Sequence, residues 1–291
     1  MRNKQVFTLG SKRIGGADLF FVVEEGQANL GDYKKAVLMI DAAASTGADA
    51  IEFQLARAKD FYVKDNPGFE LYLKREFTDS QLSDLISCAK GKGMEFIAAP
   101  LSHKIVIPLA KAGCSGFNIN ASDLTNPDII DSVLDSGLPF FLSIPLAAEE
   151  EISWAINRIT KRGILNYGIL HGQHTMVGGE NGLSVEHTSL GYIRELKERY
   201  QLPIGFIDHT PLIWMPAAAV AAGSEIVSKH LALSRNDRGP DWQVCLEPDE
   251  MKIAISWAKK MRESIKTNSK KLAPGEALDK TRLGELIDLI G

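Results

Sequence analysis

Short apolar runs alternate with longer amphipathic or helix-prone stretches along almost the whole chain. Leu19–Val23 is apolar throughout and precedes a Gly/Asn-containing loop and an amphipathic stretch from Asp32 to Thr46. Ala50–Phe53 precedes a long polar, aromatic-bearing segment to Phe77, after which Thr78 or Asp79 caps a helix to about Lys92. The unit repeats with Phe96–Ala98 and Lys104–Ala112, Gly116–Asn120 and Pro127–Asp135, Phe140–Ser143 and Ala148–Lys161, then Ile164–Leu170 and Ser189–Tyr200. Two further runs, PIGFI before Asp208-His209 and SEIVS before Lys229-His230, flank an Ala-rich helix over Met215–Ala222 that Gly223 closes. A final barrel helix starts at Pro248.

Runs that are apolar at every position suit strands covered on both faces. Eight of them alternating with helices predict an α/β fold, a closed (β/α)8 TIM barrel, over residues 1–270. Within it, Gln5–Ile14 is a candidate hairpin closing the barrel bottom, and residues 271–291 read as a linker and a helix near Lys280–Ile290. The alternative is a doubly wound sheet, but no GxGxxG or GxxxxGKS/T follows any run.

Composition narrows the partners. A chain of 291 residues, 45% hydrophobic, can bury one large core without a second domain. A formal net charge of -4 argues against nucleic acid. Leu19–Val23 is too short for a signal or membrane segment, so no membrane partner is expected. Cys88, Cys114 and Cys245 are odd in number and far apart, as reduced thiols of a cytoplasmic protein would be.

In a parallel barrel, residues leaving the strand C-termini converge on one mouth. Those residues include Glu24, Glu52, Gln54, His103, Asn118, Asp123, Ser143, His174, His209, Lys229, His230, Arg235 and Asp241. His209 and His230 follow adjacent strands, and two neutral imidazoles make a plausible half-site for a divalent metal. Each could equally bond a backbone carbonyl. His171 reads as a packed residue inside the barrel.

Over roughly the first 265 residues the chain resembles the N-acetylneuraminate (sialic acid) synthase family. The resemblance is carried by GADAIEFQ (47–54), KGMEFIAAP (92–100), DLTNPDII (123–130), IGFIDHT (204–210), SKHLALSRNDRGPD (228–241) and LEPDEM (246–251). It implies a TIM barrel that condenses phosphoenolpyruvate with an N-acyl hexosamine, or its phosphate, into a nine-carbon 2-keto sugar acid. It further implies manganese or magnesium on His209 and His230, activating the open-chain sugar carbonyl. Glu24 would handle protons beside the metal, Gln54 and Asp241 would hold sugar hydroxyls or water, and Ser143 would touch phosphoenolpyruvate. Dimerisation through the barrel is also implied.

The anion-binding half departs from the family. Its members usually carry Lys at Glu52 and at Asn118, Thr or Ser at Ala99, and Ser at Ala121 and Ile207. An Asn and a Tyr are usual near His174 and Met176, and NHNG where this chain has Ala28-Asn29-Leu30-Gly31. Like charges about 4 Å apart at an effective dielectric of 20 cost roughly 4 kcal/mol, so an ionised Glu52 would repel phosphoenolpyruvate. Arg57, Lys59 or Lys104 could compensate. The expectation is a synthase-like enzyme of sugar-acid or surface-glycan biosynthesis with an altered phosphoenolpyruvate site. The alternatives are a metal-dependent lyase, isomerase or epimerase, with Glu24, Glu52, His103 and His174 as acid–base groups, or an inactive binding homologue. Bacterial members of the family usually add an antifreeze-like domain, for which too few residues remain before Gly291. The mouth is then expected to be more open, or covered by Arg57–Lys74 acting as a lid.

Overall fold

A computed structural model describes residues 5–174, 185–266, 273 and 275–290. The elements in order are β1 (Phe7–Leu9), β2 (Lys12–Ile14), β3 (Phe20–Glu24), α1 (Tyr33–Thr46), β4 (Ala50–Leu55), α2 (Ala58–Phe61), α3 (Pro67–Leu73), α4 (Asp79–Gly91), β5 (Glu95–Pro100) and α5 (Val106–Ala112). Then come β6 (Gly116–Ile119), α6 (Pro127–Ser136), β7 (Phe140–Ser143), α7 (Glu149–Lys161), β8 (Tyr167–His171), α8 (Tyr192–Tyr200), β9 (Ile204–Asp208), α9 (Met215–Ala222), β10 (Ile226–His230), α10 (Pro248–Ser264) and α11 (Glu276–Ile290). Strands β3 to β10 close into one parallel barrel in sequence order, with β10 pairing both β9 and β3. The fold is the (β/α)8 barrel that the apolar runs predict.

Every residue of β3, β5 and β7 is buried, because one side chain in two enters the barrel and the next packs under a helix. Phe20, Val22, Ala50, Ile97, Phe141, Leu170 and Ile226 fill the interior with Phe7, Leu9 and Ile14 of the β1–β2 hairpin. Phe21, Val23, Ile51, Phe53 and Phe96 join the larger layer beneath the helices. The hairpin reaches the barrel itself: a Cβ on Gly116 would lie 3.0 Å from Leu9 Cδ1. Local signals set the helix ends. The Thr78 hydroxyl accepts from Gln81 N while the Gln81 side chain accepts from Thr78 N, and Gly47, Gly113, Gly137 and Gly223 end helices in the left-handed conformation.

The polar segment after β4 is not plain loop: it folds as α2 and α3, with Asn66 capping α3 and Pro67 at its start. Among the described residues no helix is long and apolar enough to cross a membrane. Met176 and most of the 267–274 link lie outside the described residues.

Candidate active site

Strand register brings the sequence candidates to one level. His230 pairs with Glu24 across β10 and β3, and Glu24 with Glu52 across β3 and β4. His209 leaves β9 one residue after Asp208, which is level with Lys229. The imidazoles of His209 and His230 converge, with Nε2 atoms 3.3 Å apart and ring centroids 5.1 Å apart. Glu24 Oε2 lies 3.5 Å from His230 Nε2, and Gln54 Nε2 donates to Glu24 Oε1 at 2.8 Å. His174 packs edge-on against His209 at 4.5 Å, and the Asp241 carboxylate is near enough to oppose the fall in its pKa. Gly26 makes room for the pair: a Cβ there would sit 2.6 Å from His230 Nδ1, and its φ of +54° is one glycine tolerates.

Burial, reinforced by His230, His174 and Lys229, pushes His209 well below the usual histidine range, so its ring is neutral. A neutral ring can present a lone pair to a cation. Bond lengths of about 2.0–2.1 Å at tetrahedral or right angles separate two ligating nitrogens by roughly 2.9–3.4 Å, and the observed spacing falls inside that interval. The Nδ1 atoms of both rings are buried without hydrogen-bond partners, leaving Nε2 as the engaged end. Among the described residues no group of three or more His, Cys, Asp or Glu side chains is arranged to hold an ion. The protein therefore offers two nitrogens, and water or substrate would complete a coordination shell.

From β7 through β6 to β4 runs a polar chain. Ser143 Oγ donates to Asn118 Oδ1 at 2.8 Å, and Asn118 Nδ2 donates to Glu52 Oε1 at 2.8 Å. Glu52 is fully buried and its Oε2 has no partner. Burial first, then Glu24, pushes the Glu52 carboxyl well above the usual carboxylate range. The charge argument drawn from the sequence applies to an ionised Glu52, and burial favours the neutral carboxyl, which neither repels an anion nor supplies the attraction of a lysine. Its free oxygen is a candidate proton donor.

Four other candidates are placed differently. Lys229 points between strand and helices, fully buried, 2.9 Å from Asp208 Oδ2, and donates to the Thr210 carbonyl. It holds the two strand ends together instead of facing a substrate. Arg235 is held by Glu250 at 2.7 Å and lies 3.8 Å from Glu247 at the start of α10. Asp123 accepts from Ser122 and Asn126, in the turn before α6. His103 is exposed on a short 3-10 helix after β5. His171 is buried, as expected, and bonds the Ser189 carbonyl at 3.1 Å. Strand-end reasoning missed Tyr72 and Arg75, because they lie on and just after α3; the aromatic residues within that polar segment were the available signal.

Residues 39–270 match the model of the NeuB family. An uncharacterized protein of Methanocaldococcus jannaschii is 30% identical over 269 residues, covering 92% of this chain and 78% of that one. The N,N'-diacetyllegionaminic acid synthase of Campylobacter jejuni is 27% identical over 271 residues, covering 88% of this chain and 80% of that protein. Among solved structures, the N-acetylneuraminic acid synthetase of Leptospira borgpetersenii, in complex with citrate, superposes with a TM-score of 0.85 at 27% identity, over 97% of this chain and 98% of that one.

Proposed function

Because the chain belongs to the NeuB family, we propose that it is a sugar-acid synthase-like enzyme of surface-glycan biosynthesis that makes or breaks a carbon–carbon bond beside an open-chain sugar carbonyl. The observation that carries this reading is the convergence of His209 and His230 at 3.3 Å, beside Glu24. His209 and His230 would hold a divalent ion such as manganese or magnesium. Such an ion supplies Lewis acidity toward a carbonyl oxygen. Glu24, fixed through Oε1 by the Gln54 amide, keeps Oε2 toward the imidazoles, where it can give or take a proton at the sugar oxygen. Gln54 itself offers an amide to hydroxyls. Burial favours the protonated form of the Glu52 carboxyl, whose Oε2 is unpartnered, and Asn118 and Ser143 fix its orientation.

A second reading is favoured by one feature. Glu52, Asn118 and Ser143 form a chain without a cation at the positions where resemblance to the synthases implies phosphoenolpyruvate contacts. A metal-dependent lyase, isomerase or epimerase needs no such anion site.

Calorimetry with manganese tests the shared premise. One ion per chain should bind to the wild type and none to His209→Ala or His230→Ala; no binding by the wild type would remove the reading. Phosphoenolpyruvate titrated into the manganese-loaded protein then separates the two: saturable binding supports a synthase, and its absence supports the second reading.

A further inference from the structure

The cations that the sequence places near the mouth are mostly engaged. Arg57 pairs with Glu76 and Asp79, Lys104 with Asp60, and Arg235 with Glu247 and Glu250. Arg75, between α3 and α4, differs. Half-buried, it pairs with no carboxylate among the described residues. Its Nη1 donates to Gln27 Oε1 at 2.9 Å, and its Nε is buried without a partner. The guanidinium carbon lies 5.6 Å from the Tyr72 ring centroid, and Tyr62 packs edge-on against Tyr72 at 5.0 Å. A planar cation held on an aromatic face with a buried donor unsatisfied is suited to receiving an oxyanion.

Arg75 also stands at the end of a continuous polar row. Gln27 Nε2 is 3.1 Å from Tyr72 Oη and 3.5 Å from Gln54 Oε1, Gln54 donates to Glu24, and Glu24 lies beside His230. Gln27, Gln54, Tyr72 and Arg75 line one narrow recess. The row therefore has imidazoles at one end, amides able to donate and accept toward hydroxyls in the middle, and a guanidinium at the other.

We propose that Arg75 is a specificity-determining residue that selects a sugar carrying an oxyanion, phosphate or carboxylate, at the end remote from its reacting carbonyl. This rests on reading the imidazole pair as the carbonyl end.

The test is calorimetric titration of manganese-loaded protein with N-acetylmannosamine, its 6-phosphate and N-acetylmannosaminuronate. Wild type should bind at least one anionic sugar tenfold or more tighter than the neutral one, with a preference that shrinks as salt rises; the two anionic arms identify the group. In Arg75→Gln the preference should vanish while the Kd for the neutral sugar stays within twofold. Arg75→Lys should keep part of it, and a melting curve for each variant confirms folding. Equal binding of neutral and anionic sugars by the wild type, or an undiminished preference in Arg75→Gln, overturns the proposal. If the wild type takes up manganese but binds none of the sugars, the Arg75 assignment falls and the metal site stands; if it takes up no manganese, the functional reading falls and the Arg75 assignment, which rests on it, falls with it.

Discussion

Glu25 and Gly26 show how single residues shape this mouth. Burial pushes the Glu25 carboxyl up to about 7, against the lowering effect of hydrogen bonds from Asn29. The unfolded carboxyl releases its proton near 4.5, whereas the folded one keeps it until about 7. Raising the pH through that window therefore favours the unfolded chain, and stability falls before levelling off. The shift is worth about 3 kcal/mol. Glu25→Gln removes the ionisation and keeps an acceptor for Asn29, so its loss of stability between pH 5 and 8 should be smaller than that of wild type by up to ~3 kcal/mol in denaturant titrations. An unchanged difference would mean that Glu25 is ionised in the fold. Gly26→Ala acts on the neighbouring ring. The added methyl overlaps His230 Nδ1 at 2.6 Å, so manganese affinity measured by calorimetry should fall by about tenfold or more.

At the level of elements, the alternation of apolar runs and helices was legible because each strand is covered on both faces, which keeps most of its positions apolar. The level of His230 and Glu24 was legible too, since each ends such a run, whereas Glu52 lies inside β4 and reaches that level through its register with Glu24. What periodicity did not reveal was the direction of side chains where a strand stops. Lys229 and His230 are consecutive, so they take opposite faces: His230 turns inward and Lys229 outward onto Asp208. The upward shift of the Glu52 carboxyl was equally hidden, because it depends on burial, and burial depends on the closed barrel. Arg75 escaped because it reaches the mouth from a connection instead of a strand end. The outward placement of Lys229 predicts that Lys229→Met, which strands Asp208 in a buried site, destabilises by about 3–5 kcal/mol, and that adding Asp208→Asn recovers part of it. Leu9→Ala, cutting the hairpin's plug, should cost roughly 2–5 kcal/mol while leaving manganese affinity unchanged. Both are read from urea midpoints.

For the molecule as a whole, closure of the barrel and assembly of the imidazole pair are one event. β10 hydrogen-bonds to both β9 and β3, so His209, His230 and Glu24 meet only when the ring is complete. The unfolded chain has no such pair, and an ion held by it binds the folded state alone. Its binding energy must then add to stability: at a free concentration a hundredfold above Kd the gain is about 2.7 kcal/mol. For a domain of this size that raises Tm by roughly 4–5 °C. Scanning calorimetry should show this rise with manganese, reversal by a chelator, and no rise in His209→Ala or His230→Ala. Ser143→Ala, which removes only the hydrogen bond to Asn118, should keep it. A rise that persists in both histidine variants would place the ion elsewhere in the molecule, and then the 3.3 Å approach of the two rings would have to be a hydrogen bond between them.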